Sequence, residues 1–190
     1  VDFNTISPGA NDNLTGTYAA VCALRMLDMA GIDFENTEVC AMITDGEEAG
    51  LRGCKQWAKD HYDEYVNSGV ETAVLCVDTL ADLEYLRVYN KDMTGTVKNS
   101  QQFSQLVMDS AKDSGHNDLQ FSSVYFGSSD AAAFSQAGIT ATCLAAMDPK
   151  PADYYHNRRD TAERLVPEAI KTGFDVIIST ILNFDEKGLN

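Results

Sequence analysis

Short runs of Val, Ile, Leu and Cys alternate along the chain with longer stretches in which apolar residues recur every three or four positions. That alternation is the pattern of a layered α/β domain. Segments 39–43, 73–77, 121–125 and 140–146 read as strands, and 86–89 as a shorter one. A helix is expected from a cap at Asn13 or Thr15 to about Ala30, with Val21, Leu24 and Met29 among its apolar positions and Gly31 as its C-terminal stop. Further helices are expected over 51–65, 100–114, 131–136 and 166–184, and Pro149 and Pro151 break the chain into a loop. No internal repeat, low-complexity stretch or linker divides residues 1–190, which read as a single domain.

Charge narrows the function. Fourteen Lys and Arg face 29 Asp and Glu across 190 residues, a formal charge of −15. No basic stripe is available to replace phosphate counterions, so a nucleic-acid partner is not expected. No apolar run reaches the roughly 18–20 residues of a bilayer span. The opening Val1-Asp2-Phe3-Asn4 has neither the basic nor the apolar region of a signal peptide, and no initiator Met precedes it, so upstream residues are expected to have been removed. The five cysteines (Cys22, Cys40, Cys54, Cys76, Cys143) form no C-x-x-C pair and are expected to be free buried thiols.

The acidic residues cluster with respect to the expected elements. Asp12 stands just before a helix, Glu47 and Glu48 follow the segment ending at Ile43, Asp78 follows the strand ending at Val77, and His156 follows the strand ending at Ala146. Residues beyond strand ends of an α/β sheet converge on one crevice. Several carboxylates there would repel one another unless a cation lay between them. Carboxylate oxygens with an imidazole suit Zn²⁺, with Mn²⁺ or Co²⁺ as substitutes. Neighbouring side chains on an extended turn diverge, so one of Glu47 and Glu48 can bind metal while the other takes a proton as general base. His61 reads as solvated surface, His116 as a turn residue, and Ser128-Ser129-Asp130 as a helix cap rather than part of a serine triad.

Five motifs in order carry a family resemblance. Gly9-Ala-Asn-Asp-Asn-Leu-Thr-Gly16, Asp45-Gly-Glu-Glu-Ala-Gly-Leu-Arg-Gly53, Val77-Asp78, Ser129-Asp130 and Tyr155-His-Asn-Arg-Arg-Asp-Thr161 are together similar to the zinc-dependent aminopeptidase family M28. Glu48 and His156 are 108 positions apart, which leaves no room for the lid domain that related exopeptidases insert there. The resemblance implies a three-layer α/β/α sandwich with a mixed, mostly parallel central sheet. It implies Asp12 bridging two zinc ions, Glu48 and His156 on one, Asp78 on the other, Glu47 as general base, and Tyr155 donating a hydrogen bond to the oxyanion. Asp160 and Thr161 would hold the histidine segment in place. Asp2 matches the Asp of the family's His-x-Asp, which puts that His, another zinc ligand, immediately before Val1. The domain is therefore expected to be N-terminally truncated, with one zinc or none, inactive by itself, and open to self-association through an incomplete sheet.

The implied activity is removal of N-terminal residues from peptides by metal-activated water. Family habit favours a secreted or cell-envelope protein. A non-catalytic relative of the fold, a single-zinc glutaminyl cyclase or a carboxypeptidase are the alternatives, the last calling on Arg158 or Arg159 for a substrate carboxylate.

Overall fold

The computed structural model describes residues 7–125, 127–147 and 152–189. Asp2, with its family match, and the loop-breaking Pro149 and Pro151 lie outside the described residues. In chain order the helices are α1 (Gly16–Met29), α2 (Arg52–Asp60), α3 (Tyr62–Tyr65), α4 (Gln101–Asp113), α5 (Asp130–Gln136) and α6 (Pro167–Lys187). The strands are β1 (Ala73–Asp78), β2 (Leu86–Asp92), β3 (Val97–Lys98), β4 (Phe121–Ser123) and β5 (Thr140–Ala146). They form one mixed sheet in which β1 runs parallel to β5 and β4 parallel to β2, while β2 is antiparallel to β5 and β3.

Alternation along the strands builds a core on each face. Ala73, Leu75 and Val77 of β1, with Leu144 and Ala146 of β5, pack against Ala19 and Ala23 of α1, Phe103 and Val107 of α4, and Val176 and Ile177 of α6. Val74 and Cys76, with Ala141, Cys143 and Ala145, turn the other way onto Cys54 and Ala58 of α2 and the Ala131–Phe134 face of α5. Three layers result: helices, sheet, helices. Ser100 caps α4 by accepting the Phe103 N–H at 3.2 Å.

Three expectations are corrected. Segment 39–43 is not a strand: it has no ladder partner among the described residues, and Ile43 is 56% exposed. Apolar composition alone does not make a strand, because its backbone groups need a paired edge; on one side of β1 no described strand supplies one. The helix expected over 51–65 closes at His61, whose ring stacks on Trp57 at 4.8 Å, and only one further turn follows. All five thiols are free, but Cys22 and Cys40 are exposed rather than buried.

The turn Ala10–Thr15 fastens α1 to the C-terminal end of β1. Asn13 Nδ2 donates to the Val77 carbonyl at 2.9 Å, and its Oδ1 accepts the N–H groups of Gly16 and Thr79. Asn11 Oδ1 accepts the Ala81 N–H at 2.9 Å, and the Thr15 hydroxyl accepts that of Leu80. A Cβ at Gly16 would collide with the Val77 carbonyl oxygen and the Asn13 side chain, so helix and strand approach this closely only through glycine. Gly16→Ala is expected to cost about 1–3 kcal/mol through forced overpacking. A urea unfolding series would read this as a lowered midpoint at unchanged slope.

Candidate metal centre

The loops that meet at one end of β1 and β5 carry the charged residues. Asp12 lies in the turn before α1, Asp78 ends β1, and Glu47 and Glu48 occupy a tight turn before α2. That turn is wound around the Glu47 carbonyl, which accepts the N–H groups of Gly50 at 2.9 Å and Leu51 at 2.7 Å. It returns to Asp45 so closely that a Cβ on Gly53 would strike the Asp45 backbone. Leu51 (φ 60°) and His156 (φ 54°) adopt left-handed backbone, costly for residues with a Cβ and sustained by their surroundings.

Ligand atoms of Asp12, Glu48 and His156 lie within 4.8 Å of one another. His156 Nε2 is 3.0 Å from Asp12 Oδ2 and 2.8 Å from Glu48 Oε1. Neither contact is aligned as a hydrogen bond, so Nε2 and Asp12 Oδ2 are buried without a hydrogen-bond partner, as is Asp78 Oδ1. Unpaired buried polar atoms are costly, and the two that converge with a Glu48 oxygen fit a cation among them. Two carboxylates and an imidazole suit zinc by donor chemistry. Asp78 lines the same cavity but falls outside the three-residue group. The Tyr155 ring stacks on His156 with centroids 3.6 Å apart.

Asp160 fixes this geometry from beneath. It is fully buried, and its two carboxylate oxygens accept the N–H groups of Asn11 at 2.8 Å and Asp12 at 3.0 Å. The histidine loop and the Asp12 turn are thus locked together, although the resemblance implied only that Asp160 holds its own loop. Asp130, at the start of α5, belongs here too; the sequence reading quoted it within the Ser129-Asp130 motif and as part of a cap, with no role at the metal. Its Oδ2 accepts the Thr44 hydroxyl at 2.8 Å, while Oδ1 is buried without a partner. The signal was present: one more acid at a strand-to-helix junction beyond the sheet edge. Ser129 does not cap α5 through its side chain; its hydroxyl donates to Asp92 at 2.5 Å.

Burial and mutual repulsion raise the proton affinity of Asp12, Glu47 and Asp78. Burial first, then Glu48, pushes the Asp12 carboxyl up to about 7. Burial, then Glu48 and Asp130, pushes Glu47 up to about 8. Burial, then Asp12 and Glu47, raises Asp78 well above the usual carboxylate range. Burial and Asp12 raise the Tyr155 hydroxyl, which keeps its proton and remains a donor. Because these carboxyls bind protons more tightly folded than unfolded, metal-free stability is fully present below about pH 4 for these groups and is lost as pH rises through about 7–8. Melting of the metal-free chain is therefore expected to fall between pH 5 and 8, and zinc is expected to remove most of that fall. Thermal melts with and without chelator at several pH values test this.

Comparison with known proteins adds lineage to geometry. The chain is similar to the aminopeptidase YwaD of Bacillus subtilis, 28% identical over 198 residues, covering 95% of this chain and 38% of that protein. Its fold matches the zinc aminopeptidase BSAP of Bacillus subtilis with a TM-score of 0.70 at 23% identity, over 93% of this chain and 42% of the other. It also matches the LapA aminopeptidase of Legionella pneumophila with a TM-score of 0.75 at 17% identity, over 95% and 48%. The chain spans less than half the length of each of these relatives. The profile of Peptidase family M28 fits residues 1–181, and the chain belongs to that family.

Proposed function

We propose that the chain is a zinc-dependent exopeptidase of the aminopeptidase type, with Asp12, Glu48 and His156 holding zinc and Asp78 available to a second ion. The observation that carries this reading is the convergence of three ligand atoms, two of them buried without hydrogen bonds, beside a Glu that is not one of them. Bound zinc would supply polarisation of the attacking water and of the scissile carbonyl. Glu47, buried beside the ligands, takes the proton from that water and returns it to the leaving amine. Tyr155, held against His156 and kept protonated, donates to the oxygen on which negative charge develops.

The charge of the cavity supports an amine rather than a carboxylate at the substrate's end. Asp12, Glu47, Glu48 and Asp78 line it, and no Lys or Arg is among its described lining residues. Arg159 is engaged with Asp153 and Asn157, and Arg158 is exposed outside the cavity, so neither supports the carboxypeptidase alternative. Acids inside the cavity attract an ammonium group at long range as well. One specific observation favours a second reading, a single-zinc glutaminyl cyclase: only Asp12, Glu48 and His156 converge, without Asp78. Release of free amino acids, as against cyclisation of N-terminal glutamine, separates the two.

Two sets of variants test the assignment. Zinc binding measured by calorimetry is expected to vanish in His156→Ala, and to weaken by roughly 10–100-fold in Asp160→Ala, which frees the turn carrying Asp12. Undiminished binding by His156→Ala would remove that residue from the site. Glu47→Gln is expected to keep its zinc and lose turnover of aminoacyl-nitroanilides by about 10²-fold or more, the scale of general acid–base catalysis. Glu48→Gln is expected to lose zinc affinity first. The opposite pattern exchanges the two roles, and a zinc-loaded protein that releases no amino acid from any peptide substrate overturns the reading.

A further inference from the structure

The turn that presents Glu47 and Glu48 begins at the chain's single Asp-Gly step, Asp45-Gly46, and the sequence has no Asn-Gly step. Asp45 is exposed, and its Oδ1 accepts the N–H of Gly46, the next residue, at 2.7 Å. The side-chain carboxyl and the amide nitrogen that follows it are therefore already in contact. These two groups are the electrophile and the nucleophile of a five-membered ring closure. Gly46 does not obstruct the approach, because it has no Cβ and adopts left-handed backbone at φ 69°.

The closure balances without an oxidant or any other reactant but water. In its protonated form the Asp45 carboxyl is attacked at Cγ by the Gly46 nitrogen. The N–Cγ bond forms, and the carboxyl OH leaves with the amide proton as water. The resulting succinimide takes up one water. When the bond between the Gly46 nitrogen and the old main-chain carbon breaks, the chain runs through Cβ and Cγ as an isoaspartate, and that old carbon becomes the free carboxylate. Mass and charge are unchanged. The turn is not. The Asp45 carbonyl, which accepts the Gly53 N–H at 2.9 Å and ties the start of the turn to α2, leaves the main chain. The path from Asp45 Cα to the Gly46 nitrogen lengthens by one bond, about 1.5 Å. It does so where even a Cβ on Gly53 would strike the Asp45 backbone. Glu47 and Glu48 come next in the chain, and a Glu48 oxygen stands 2.8 Å from His156 Nε2. A misplacement of this size takes a side chain out of a convergent group.

We propose that Asp45-Gly46 is a site of spontaneous isoaspartate formation, and that this rearrangement disarms the metal centre by displacing Glu48. The modification stands on this turn alone, and its effect on zinc rests on the metal-site reading above. Protein kept warm at mildly acidic pH and sampled over weeks is expected to accept methyl groups from an isoaspartate-specific carboxyl methyltransferase. Electron-transfer fragmentation of its peptides is expected to show isoaspartate at Asp45 before any other Asp or Asn. The isoaspartyl form, isolated chromatographically, is expected to bind zinc roughly 10–100-fold more weakly than fresh protein in calorimetry, the scale for losing a group that orients a ligand. Asp45→Glu would have to close a six-membered ring, and is expected to age without isoaspartate at this position and without that loss of zinc affinity. Asp45→Asn closes the same five-membered ring by expelling ammonia, and is expected to lose zinc affinity sooner than the parent chain. Isoaspartate that accumulates first elsewhere, unchanged zinc affinity in the isoaspartyl form, or an equal loss in aged Asp45→Glu overturns the inference. Fresh protein that binds no zinc would instead sink the metal-site reading, and the mapped position of isoaspartate would still decide the modification.

Discussion

Like charge gathered in one enclosed space is the constraint from which the rest of the molecule follows. Asp12, Glu47, Glu48 and Asp78 share a cavity with His156, and no Lys or Arg is among the described residues lining it. Burial raises the proton affinity of Asp12, Glu47 and Asp78, and the neighbouring carboxylates raise it further. The loops carrying them therefore cannot be held by attraction between their own side chains. Free energy to hold them comes from elsewhere, from apolar packing on both faces of the sheet and from hydrogen bonds to the loop backbones. A cation that binds the folded arrangement and not the unfolded chain adds its binding free energy to folding, which ties stability to metal supply.

Two neutral amides, a hydroxyl and one remote carboxylate do the holding. Asn11, Asn13 and Thr15 distribute their bonds over the backbone between Val77 and Ala81, so α1 and β1 meet at fixed distance. Asp160 crosses almost the whole chain to take the N–H groups of Asn11 and Asp12. Using its oxygens on backbone donors keeps its charge from adding to the unsatisfied acids nearby, because a carboxylate accepting two N–H groups is locally compensated. Such networks are cooperative, and losing one member leaves several buried groups without partners. The left-handed backbone at Leu51 and His156 is one more expense that this scaffold sustains at the places where side chains must point inward.

The layered fold and most elements were legible because burial writes its period into the sequence. Segment 140–146 is uncharged and mostly apolar since β5 is covered on both faces, and 100–114 shows the helical spacing of α4 with Ser100 at its cap. Segment 39–43 has the same composition as a strand and is not one, for pairing belongs to two segments and is invisible in either alone. Strand β3, of two residues, is too short to carry any period. Asp12, Glu48 and His156 were found from their places beside strand and helix ends and their match to known motifs, and the structure brings their atoms together. Asp130 was met only inside a motif, without a role, and Asp92 not at all, because what distinguishes them is a contact with Thr44 or Ser129 from distant parts of the chain.

Adjacent glutamates illustrate how one turn divides two tasks. Glu48 reaches to 2.8 Å from His156 Nε2, so its oxygens belong to the convergent group. Glu47, one residue earlier, stands outside that group and is held neutral up to about pH 8 by burial, Glu48 and Asp130. A carboxyl whose proton affinity lies near neutrality can both accept and release a proton at working pH, which an ordinary exposed glutamate does poorly. Positive charge brought among Asp12, Glu48 and His156 would draw that affinity downward and favour the form that accepts. Asp130, whose Oδ2 accepts the Thr44 hydroxyl, acts on Glu47 in the opposite sense and raises that affinity. The affinity of the proposed base is thus set by two opposed influences, a site that would lower it and a carboxylate that raises it, and the tight turn from Asp45 to Gly53 fixes the backbone that carries it.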